Sequence, residues 1–461
     1  TTPLRVVLTI HNNNMELKLV ILLVVVAATS FVNSTSGRTL GRDGKVAFST
    51  PPMGWRNWNF FQGNITQATM MQQMKAMSDR VRPVVGRPGL SSLLDVGFTH
   101  AGLDDNWQRC HAGVHGRDST IGSFHDVNGN PLINTTSFPN MKAMVDYGHS
   151  VGLKVGWYDN NCICGEGPSR LTPDQVTLDV LGNVRYVANM GFDGLKADGC
   201  GAGRNMTFLA ENLRKIDRDI LIENCHYNKI APGSKMPPGA QPDHIGRIFP
   251  YWKNNITGGT LVCPEDSFRT SGDIRNSWSS WIGNLNSLKV YQDPKFPISS
   301  PGCWAYADML MVGVMASDYA PHVGPPGSFV EWRSHFGGWA IASSPLILSF
   351  DLTNATTLKS VWPFITNVHA IHINQNWFGH PGMQVFSNAT LQVWVKPSGN
   401  QSMAVLVINT SPQSIDFDLP VLLVSPTLPP TSSVFDIWTQ QPIGNAHDGT
   451  VSIRSLGSHD S

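Results

Sequence analysis

The sequence carries little charge, and its charges of opposite sign balance. Of its 461 residues only 14% are charged, with 33 basic and 33 acidic residues. Such a chain has neither the basic stripe that neutralises a phosphate backbone nor a polybasic patch for anionic lipids, so nucleic acid is not an expected partner. The 14 Trp residues and the scattered carboxylates favour a neutral partner such as a sugar.

Apolar runs of membrane-spanning length are also absent. The run at residues 19–32 has 14 residues, fewer than the ~20 that a helix needs to cross a bilayer. Because this run follows Met15 and Lys18 and gives way to small polar residues, residues 15–36 are interpreted as a signal peptide, with an uncleaved anchor as the alternative. Residues 1–14 precede the first methionine and are interpreted as an upstream extension outside the fold. No membrane contact is expected after signal removal.

Eight Asn-x-Ser/Thr sequons follow the signal segment and favour passage through the secretory pathway. They lie at Asn64, Asn134, Asn205, Asn255, Asn354, Asn388, Asn400 and Asn409. The expected location is therefore outside the cell, or a lysosome or vacuole reached by the same pathway. In that oxidising environment the seven cysteines are expected to form disulfides, with at least one thiol left over because the count is odd.

Between residues 50 and 350 short apolar runs recur, and many of them end in acidic residues. These tips lie at Asp104, Asp105, Asp159, Asp198, Glu223, Asp273 and Asp351. Helix-compatible stretches separate them; in the stretch 66–80, Met70, Met74 and Met77 share one face, which indicates core packing. A strand, a polar tip and a helix in repetition are typical of a (β/α)8 TIM barrel, in which the carboxyl ends of the strands face one pocket.

The predicted barrel covers residues 45–375 of an α/β chain. Its first strand is placed at residues 53–58, its seventh at 303–308 and its eighth at 345–351. From residue 383 onwards, alternating apolar residues separated by turn-rich segments predict a C-terminal antiparallel β-sandwich domain at residues 383–461. The chain stops soon after residues 451–453, so the last strand of the sandwich is expected to be incomplete.

Six motifs follow one another at the spacing of barrel strands. They are PPMGWRNW (51–58), LDDNW (103–107), GWYD (156–159), LKADGC (195–200), RTSGD (269–273) and WAYADML (304–310). Together they resemble glycoside hydrolase family 27, the α-galactosidases and α-N-acetylgalactosaminidases, over nearly the whole chain after residue 50. The resemblance implies a retaining hydrolase that removes terminal α-linked galactose from oligosaccharides, glycolipids or polysaccharides, with neither a cofactor nor a metal ion.

The resemblance also implies which residues do the chemistry. Asp198 matches the family's nucleophile and Asp273 its acid/base; a retaining glycosidase needs two such carboxyl groups ~5–5.5 Å apart. Lys196, two residues before Asp198 on a strand, points the same way and is placed to keep that carboxylate ionised or to bind a hydroxyl. The residues implied in sugar binding are Trp58, Asp104, Asp105, Tyr158, Lys196, His226, Arg269 and Asp308. For any single Asp a surface salt bridge is the plainer alternative.

Two departures from the family pattern fall on segments that contact substrate. The strand-five tip reads ENCHY at 223–227, so His226 stands where the family carries a glutamate, and WAYADML keeps Asp308 but not the Asn-Asp pair before it. Because His226 and Tyr227 are bulky, activity on α-galactosides is expected to exceed that on α-N-acetylgalactosaminides. The alternatives are a family member acting on α-N-acetylgalactosamine or β-L-arabinopyranose, and a catalytically idle carbohydrate-binding protein, against which the retention of Asp198 and Asp273 argues.

The cysteine pairing is also taken from the resemblance. The expected bridges join Cys225 to Cys263 and Cys200 to either Cys162 or Cys164, which leaves as free thiols Cys110 and Cys303. The alternative is a zinc site with the ligands Cys162, Cys164, Cys200, Cys225 and His226. Cys-x-Cys spacing is uncommon for structural zinc, and the secretory context favours disulfides. The sequence leaves monomer and homodimer both open.

Overall fold

The computed structural model of the chain describes residues 46–114, 123–160, 163–164, 166, 171–198, 205–225, 263–292, 298–315, 324, 326–399 and 401–461. For residues 7–11, 252–253 and 260–261 it describes the backbone alone.

The described residues form strands and helices that alternate up to residue 375 and strands almost alone after it. The strands are β1 (Val7–His11), β2 (Met53–Arg56), β3 (Arg82–Pro83), β4 (Leu90–Ser91), β5 (His100–Gly102), β6 (Lys154–Asp159), β7 (Gly194–Ala197), β8 (Leu221–Asn224), β9 (Trp252–Lys253), β10 (Thr260–Leu261), β11 (Ser267–Arg269), β12 (Trp304–Tyr306), β13 (Leu346–Leu348), β14 (Met383–Ser387), β15 (Leu391–Gly399), β16 (Ser402–Asn409), β17 (Ile415–Pro420), β18 (Ser433–Asp436), β19 (Gln441–Asn445) and β20 (Thr450–Leu456). The α-helices are α1 (Trp58–Phe61), α2 (Gln67–Ser78), α3 (Met141–Ser150), α4 (Pro173–Met190), α5 (Met206–Leu213), α6 (Trp278–Ser287), α7 (Phe329–Ile341), α8 (Ala355–Ile365), α9 (Val368–Gln375) and α10 (Val421–Val424).

Eight parallel strands form one curved sheet, in the order β12-β11-β8-β7-β6-β5-β2-β13. Strands β2, β12 and β13 lie where the first, seventh and eighth barrel strands are predicted, and the prediction of a TIM barrel is confirmed. The first strand is shorter than expected, because Trp58 already belongs to α1. Since all strands run the same way, the residues that follow them gather at one edge of the sheet.

The outer helices begin at residues with a clear capping role and bury the faces that the sequence marks as apolar. In α2, Thr66 accepts a hydrogen bond from the backbone N of Thr69, and Met70, Met74 and Met77 are all 0% exposed. The methionine stripe is therefore core, as predicted. None of the described helices has the length and apolar character needed to cross a bilayer.

The C-terminal domain packs one sheet between two apolar layers. Strands β14, β15, β16, β1, β18 and β19 form this antiparallel sheet, and β17 pairs with β20 in a second one. Trp394 and Leu406 join the hydrophobic core of the barrel, whereas Val393 and Val405 join the core of the sandwich. Neighbours along a strand point to opposite faces, so both faces of this sheet are buried. The predicted antiparallel β-sandwich is confirmed.

The strand β1 lies within residues 1–14, the segment expected to lie outside the fold. Val7–His11 lies between β16 and β18 and pairs antiparallel with both, with Val7 opposite Leu406 and His11 opposite Ser433. The strand β1 thereby pairs with the backbone donors and acceptors on the facing edges of β16 and β18. Residues 12–45, which include the whole of the interpreted signal segment, lie outside the described residues.

The cysteine pairing differs from the expectation. Cys263 is joined to Cys303, and Cys225 is a buried free thiol, so the predicted Cys225–Cys263 bridge is wrong. The reason is the parallel sheet: Cys225 follows β8 at its carboxyl end, whereas Cys263 precedes the neighbouring strand β11 and so lies toward the opposite edge. Cys303 immediately precedes β12 at that same opposite edge, with its Cα 5.9 Å from that of Cys263.

The second described bridge joins Cys110, after β5, to Cys164, after β6. This bridge excludes Cys164 as the partner of Cys200. The expectation that Cys110 and Cys303 are free thiols is wrong, because each of them is in a disulfide. Since Cys164 is oxidised, it cannot serve as a thiolate ligand in the alternative zinc site. Cys162, Cys200 and His226 lie outside the described residues.

Peptide mapping without reduction tests this pairing. We expect cross-linked peptides containing Cys110–Cys164 and Cys263–Cys303, and alkylation of Cys225 only after unfolding, because its side chain is buried. Cys303→Ser should lower the free energy of unfolding by about 2–5 kcal/mol, since it removes a native disulfide. A recovered Cys225–Cys263 peptide would contradict the assignment of these cysteines to opposite barrel edges.

Candidate active site

A cavity of about 320 Å³ lies at the carboxyl edge of the barrel sheet. The residues of the sequence prediction that line it are Trp58, Asp104, Asp105, Tyr158, Lys196, Asp198, Arg269, Asp273 and Asp308. His226 is the predicted site residue that lies outside the described residues. Each of the nine comes from a strand's last residues or from the turn after it, which is why parallel strands bring them together.

Asp198 is the first residue after β7 and is partly exposed to the cavity. Its Oδ2 accepts a hydrogen bond from the hydroxyl of Tyr158 at 2.9 Å, and that hydroxyl accepts one from Asn160 Nδ2 at 3.1 Å. Burial, reinforced by the charge of Asp198, raises the pKa of Tyr158 well above its ordinary value. The tyrosine therefore stays protonated and acts as a donor to the Asp198 carboxylate.

A buried ion pair holds the adjacent acidic tip. Lys196 Nζ lies 2.7 Å from Asp104 Oδ2, and both side chains are almost fully buried. Although burial opposes the charge of Lys196, the Asp104 carboxylate raises the pKa of the lysine, so Lys196 stays protonated. Asp105 is partly exposed, and burial together with the charge of Asp104 raises its pKa to about 6.

A second cation, Arg269, contacts two carboxylates that line the same cavity. Arg269 Nη2 lies 2.7 Å from Asp308 Oδ2 and 3.2 Å from Asp273 Oδ1. Asp308 also accepts a hydrogen bond from the backbone N of Ile274, yet burial raises its pKa to about 6, and the charge of Asp273 acts in the same direction. The side chain of Asp273 is 86% exposed, so it stands at the mouth of the cavity.

The backbone at Asp308 is unusual for a residue with a side chain. Its φ of 91° lies in the left-handed region, which costs free energy and is tolerated where the surroundings enforce it. The Asp308 carboxylate is held by Arg269, by Ile274 N and by the backbone N of Met309. These contacts hold the carboxylate of a residue that lines the cavity.

Some lining residues were not predicted from the sequence. They are Asn59, Gln62, Asn160, Ile163, Cys225, Ile274, Arg275 and Met309. Most of them are within two positions of a predicted residue, so proximity to the motifs was the available signal. Cys225, which the resemblance places in a disulfide, has a free thiol whose Sγ accepts a hydrogen bond from Arg269 Nη1 at 3.3 Å.

A separate buried cluster joins His125, Glu166 and Asp179 and is the one described group whose ligand atoms are close enough for a metal ion. His125 Nδ1 lies 2.7 Å from Glu166 Oε2, and its Nε2 lies 2.9 Å from Asn183 Oδ1. Although burial disfavours the imidazolium, the hydrogen bond to Glu166 raises the pKa of His125 to about 9. These contacts describe a buried ion pair that fastens α4 to the loops after β5 and β6.

Of the five described carboxyl groups that line the cavity, Asp198 follows β7 and Asp273 follows β11, and Lys196 and Arg269 line the same cavity. Asp198 is held as an acceptor inside the cavity, and Asp273 stands at its mouth. Carboxyl groups of this kind in one cavity are the groups that nucleophilic attack and proton transfer on a glycoside use.

Comparison with known proteins identifies relatives along the whole barrel and sandwich. The family described as alpha galactosidase A matches residues 50–376, and the alpha galactosidase C-terminal beta sandwich domain matches residues 388–461. An alpha-galactosidase from Oryza sativa subsp. japonica is 27% identical over 78% of this chain and 72% of its own length. An alpha-N-acetylgalactosaminidase from Mus musculus is 27% identical over 77% of this chain and 76% of its own length.

Solved structures share the fold. Alpha-galactosidase I from Mortierella vinacea matches with a TM-score of 0.63 at 21% identity, covering 90% of this chain and 96% of its own. A GH27 β-L-arabinopyranosidase from Geobacillus stearothermophilus matches with a TM-score of 0.67 at 18% identity, covering 89% and 95%. With the barrel, the sandwich and the acidic cavity in place, the match over residues 50–376 shows that this chain belongs to the melibiase-like glycoside hydrolases of family 27.

Proposed function

We propose that this glycoside hydrolase removes terminal α-linked galactose with net retention, using Asp198 as nucleophile and Asp273 as general acid/base. The observation that carries the proposal is that these two carboxyl groups, which follow β7 and β11, line the same cavity. The cavity also holds charged side chains that can bind the hydroxyl groups of a sugar. Attack by the first carboxylate forms a glycosyl ester while the second protonates the leaving oxygen; the second then deprotonates the water that hydrolyses the ester.

The contacts of Asp198 suit a nucleophile. A hydrogen bond from Tyr158 stabilises the ionised carboxylate, and the nearby charge of Lys196 acts in the same direction. The contacts of Asp273 suit an acid/base, because a residue at the mouth of the cavity lies where the leaving group departs and water enters. Arg269, between Asp273 and Asp308, restricts where the acid/base carboxyl sits.

The remaining lining residues suit a single terminal sugar. Asp104 and Asp105 follow one another where β5 ends, so both carboxyl groups reach the cavity and can accept sugar hydroxyls. Trp58, which packs on Tyr306 and Met309, offers an apolar ring face to the sugar. The curated alpha-galactosidases among the relatives support galactose as this sugar.

A panel of 4-nitrophenyl glycosides decides the sugar. Purified protein should hydrolyse the α-galactoside faster than the α-N-acetylgalactosaminide and the β-L-arabinopyranoside. A reversed order would refute galactose while keeping the hydrolase. Hydrolysis of none of the three would refute the activity itself.

Removing each catalytic carboxyl group should produce a different defect. Asp198→Ala should lower kcat by several orders of magnitude on every substrate, because no glycosyl ester can form. Asp273→Ala should slow substrates with poor leaving groups far more than nitrophenyl glycosides, since nitrophenolate departs without a proton. Azide should accelerate the Asp273→Ala enzyme and give an α-glycosyl azide.

A matched control is Asp146→Ala, which removes an exposed aspartate of α3 that pairs with Lys142. Its kcat/KM should equal that of the wild type. Wild-type turnover by Asp198→Ala, or a first product of inverted configuration, would refute the double displacement.

The raised pKa values of Asp105 and Asp308, both about 6, predict a steep acid limb. Both carboxyl groups must be ionised to accept sugar hydroxyls, so kcat/KM should fall below about pH 6 with a logarithmic slope that approaches two. In Asp105→Asn that slope should approach one. Because folding raises these pKa values, the ionised carboxylates cost stability above about pH 6, and this cost is relieved as the pH falls. A slope of one in the wild type would contradict the joint titration.

We also propose passage through the secretory pathway, which the described disulfides and the exposed sequon residues Asn64, Asn205, Asn354 and Asn388 support. Asn409 is an exception, because it is 0% exposed and its Nδ2 donates to the carbonyl oxygens of Gln413, Leu456 and Gly457. A glycan would replace one of the two hydrogens of that nitrogen and would have to fit where the side chain is fully buried.

Glycopeptide mapping of protein expressed in a eukaryotic host tests the proposed secretion and the expected glycosylation sites. We expect glycans on exposed sequons and none at Asn409. An occupied Asn409 in folded protein would contradict the described sandwich, and an entirely unglycosylated cytosolic product would contradict the secretory proposal.

A further inference from the structure

A buried ion pair beneath the cavity has no role in the proposed catalysis. Arg56, the last residue of β2, and Glu223, in β8, lie inside the barrel with Arg56 Nη2 3.1 Å from Glu223 Oε2. Both side chains are about nine-tenths buried, and both line a small interior cavity rather than the site cavity. Neither residue is therefore placed to touch a sugar in the site.

Arg56 connects this pair to the site. Its Nη1 donates to the carbonyl oxygen of Leu103 at 3.0 Å and lies 3.6 Å from Asp104 Oδ2. Asp104 Oδ2 is the same oxygen that Lys196 binds at 2.7 Å. The four side chains thus alternate in sign from Glu223 through Arg56 and Asp104 to Lys196, and the opposite charges balance.

The barrel makes room for the guanidinium at one position. Gly102 is the β5 partner of Arg56, and a Cβ added to it would lie 2.9 Å from Arg56 Cζ. The guanidinium lies across the backbone of Gly102, between the strands that carry Asp104 and Glu223. Any larger residue at 102 would have to displace it.

We infer that Arg56 and Glu223 are positioning residues that set the orientation of the Asp104 carboxylate toward the substrate. Arg56 shares its two Nη atoms between Glu223 on one side and Leu103 and Asp104 on the other, so it supports Asp104 without drawing it out of the cavity. Lys cannot replace Arg here, because only the planar guanidinium group can contact Glu223 through one nitrogen and Leu103 through another. This inference rests on the proposed function of Asp104 as an acceptor of sugar hydroxyls.

Removal of the Glu223 charge should act on binding rather than on chemistry. In Glu223→Gln the guanidinium loses its anionic partner and turns toward Asp104, which draws the carboxylate away from the sugar. KM should rise by about 10-fold while kcat changes by less than about 3-fold, since an interaction common to ground state and transition state is lost. Gly102→Ala, which changes no charge but displaces the guanidinium, should raise KM in the same way.

A double variant separates positioning from stability. Each single neutral variant, Arg56→Gln or Glu223→Gln, leaves a buried partner charge, so its Tm should fall. The double variant removes both charges, so its Tm should recover toward that of the wild type while its KM stays high. A control pair is the ion pair of the exposed Arg80 with the partly exposed Asp95, whose double neutral variant should keep the wild-type KM.

The outcomes are distinct. A wild-type KM in Glu223→Gln, or a KM that recovers together with Tm in the double variant, would show a purely structural pair and overturn the inference. If the wild-type protein hydrolyses none of the glycosides, the proposed function fails, and the crystal structure of Glu223→Gln then decides the inference. We expect Arg56 within hydrogen-bond distance of Asp104 and a rotated Asp104 carboxylate; an Asp104 carboxylate that keeps its wild-type orientation would overturn it.

Discussion

The site depends on the pairing of buried carboxylates with buried cations at the carboxyl edge of the barrel. Asp104 is held by Lys196, and Asp308 by Arg269, each at 2.7 Å. Ionised carboxylates are costly to bury alone, and leaving one unpaired costs more than the pair contributes. The cations therefore permit a dense acidic cluster at this edge. Asp104 and Asp308 are its buried members, whereas Asp105 and the two proposed catalytic residues, Asp198 and Asp273, are more exposed.

Much of this arrangement can be predicted from the sequence, because the carboxyl ends of all strands in a parallel barrel lie at the same edge. The spacing of Met70, Met74 and Met77 predicts a buried helix face, which the structure has. The acidic residues after the apolar runs predict a shared pocket, and four of the seven line the cavity, whereas Asp159, Glu223 and Asp351 do not. The cysteine pairs could not be read in this way. Cys225 follows β8 and Cys263 precedes the neighbouring parallel strand β11, so the two cysteines lie toward opposite edges of the sheet. Only the three-dimensional sheet places Cys303 beside Cys263.

Contacts across the barrel interior and between the domains were also beyond the sequence. Arg56 and Glu223 are 167 positions apart, and nothing in either motif indicates that they meet. The alternation after residue 383 predicted a sandwich, but not that one face of its larger sheet packs on the barrel through Trp394 and Leu406. The alternation of apolar and polar residues also gives no indication that β1, formed by residues 7–11, lies between β16 and β18. Each of these depends on long-range packing rather than on local pattern.

The central claim is that Asp198 becomes covalently glycosylated during turnover, and trapping of the intermediate tests it most directly. A ring-fluorinated α-galactosyl fluoride reacts with the nucleophile and hydrolyses slowly, because the fluorine destabilises the oxocarbenium-like transition state. Mass spectrometry of the digested protein should find the added sugar on the peptide that contains Asp198, in a stoichiometry of about one per chain. A label on Asp273 or on another residue, from an enzyme that the reagent inactivates, would contradict the account.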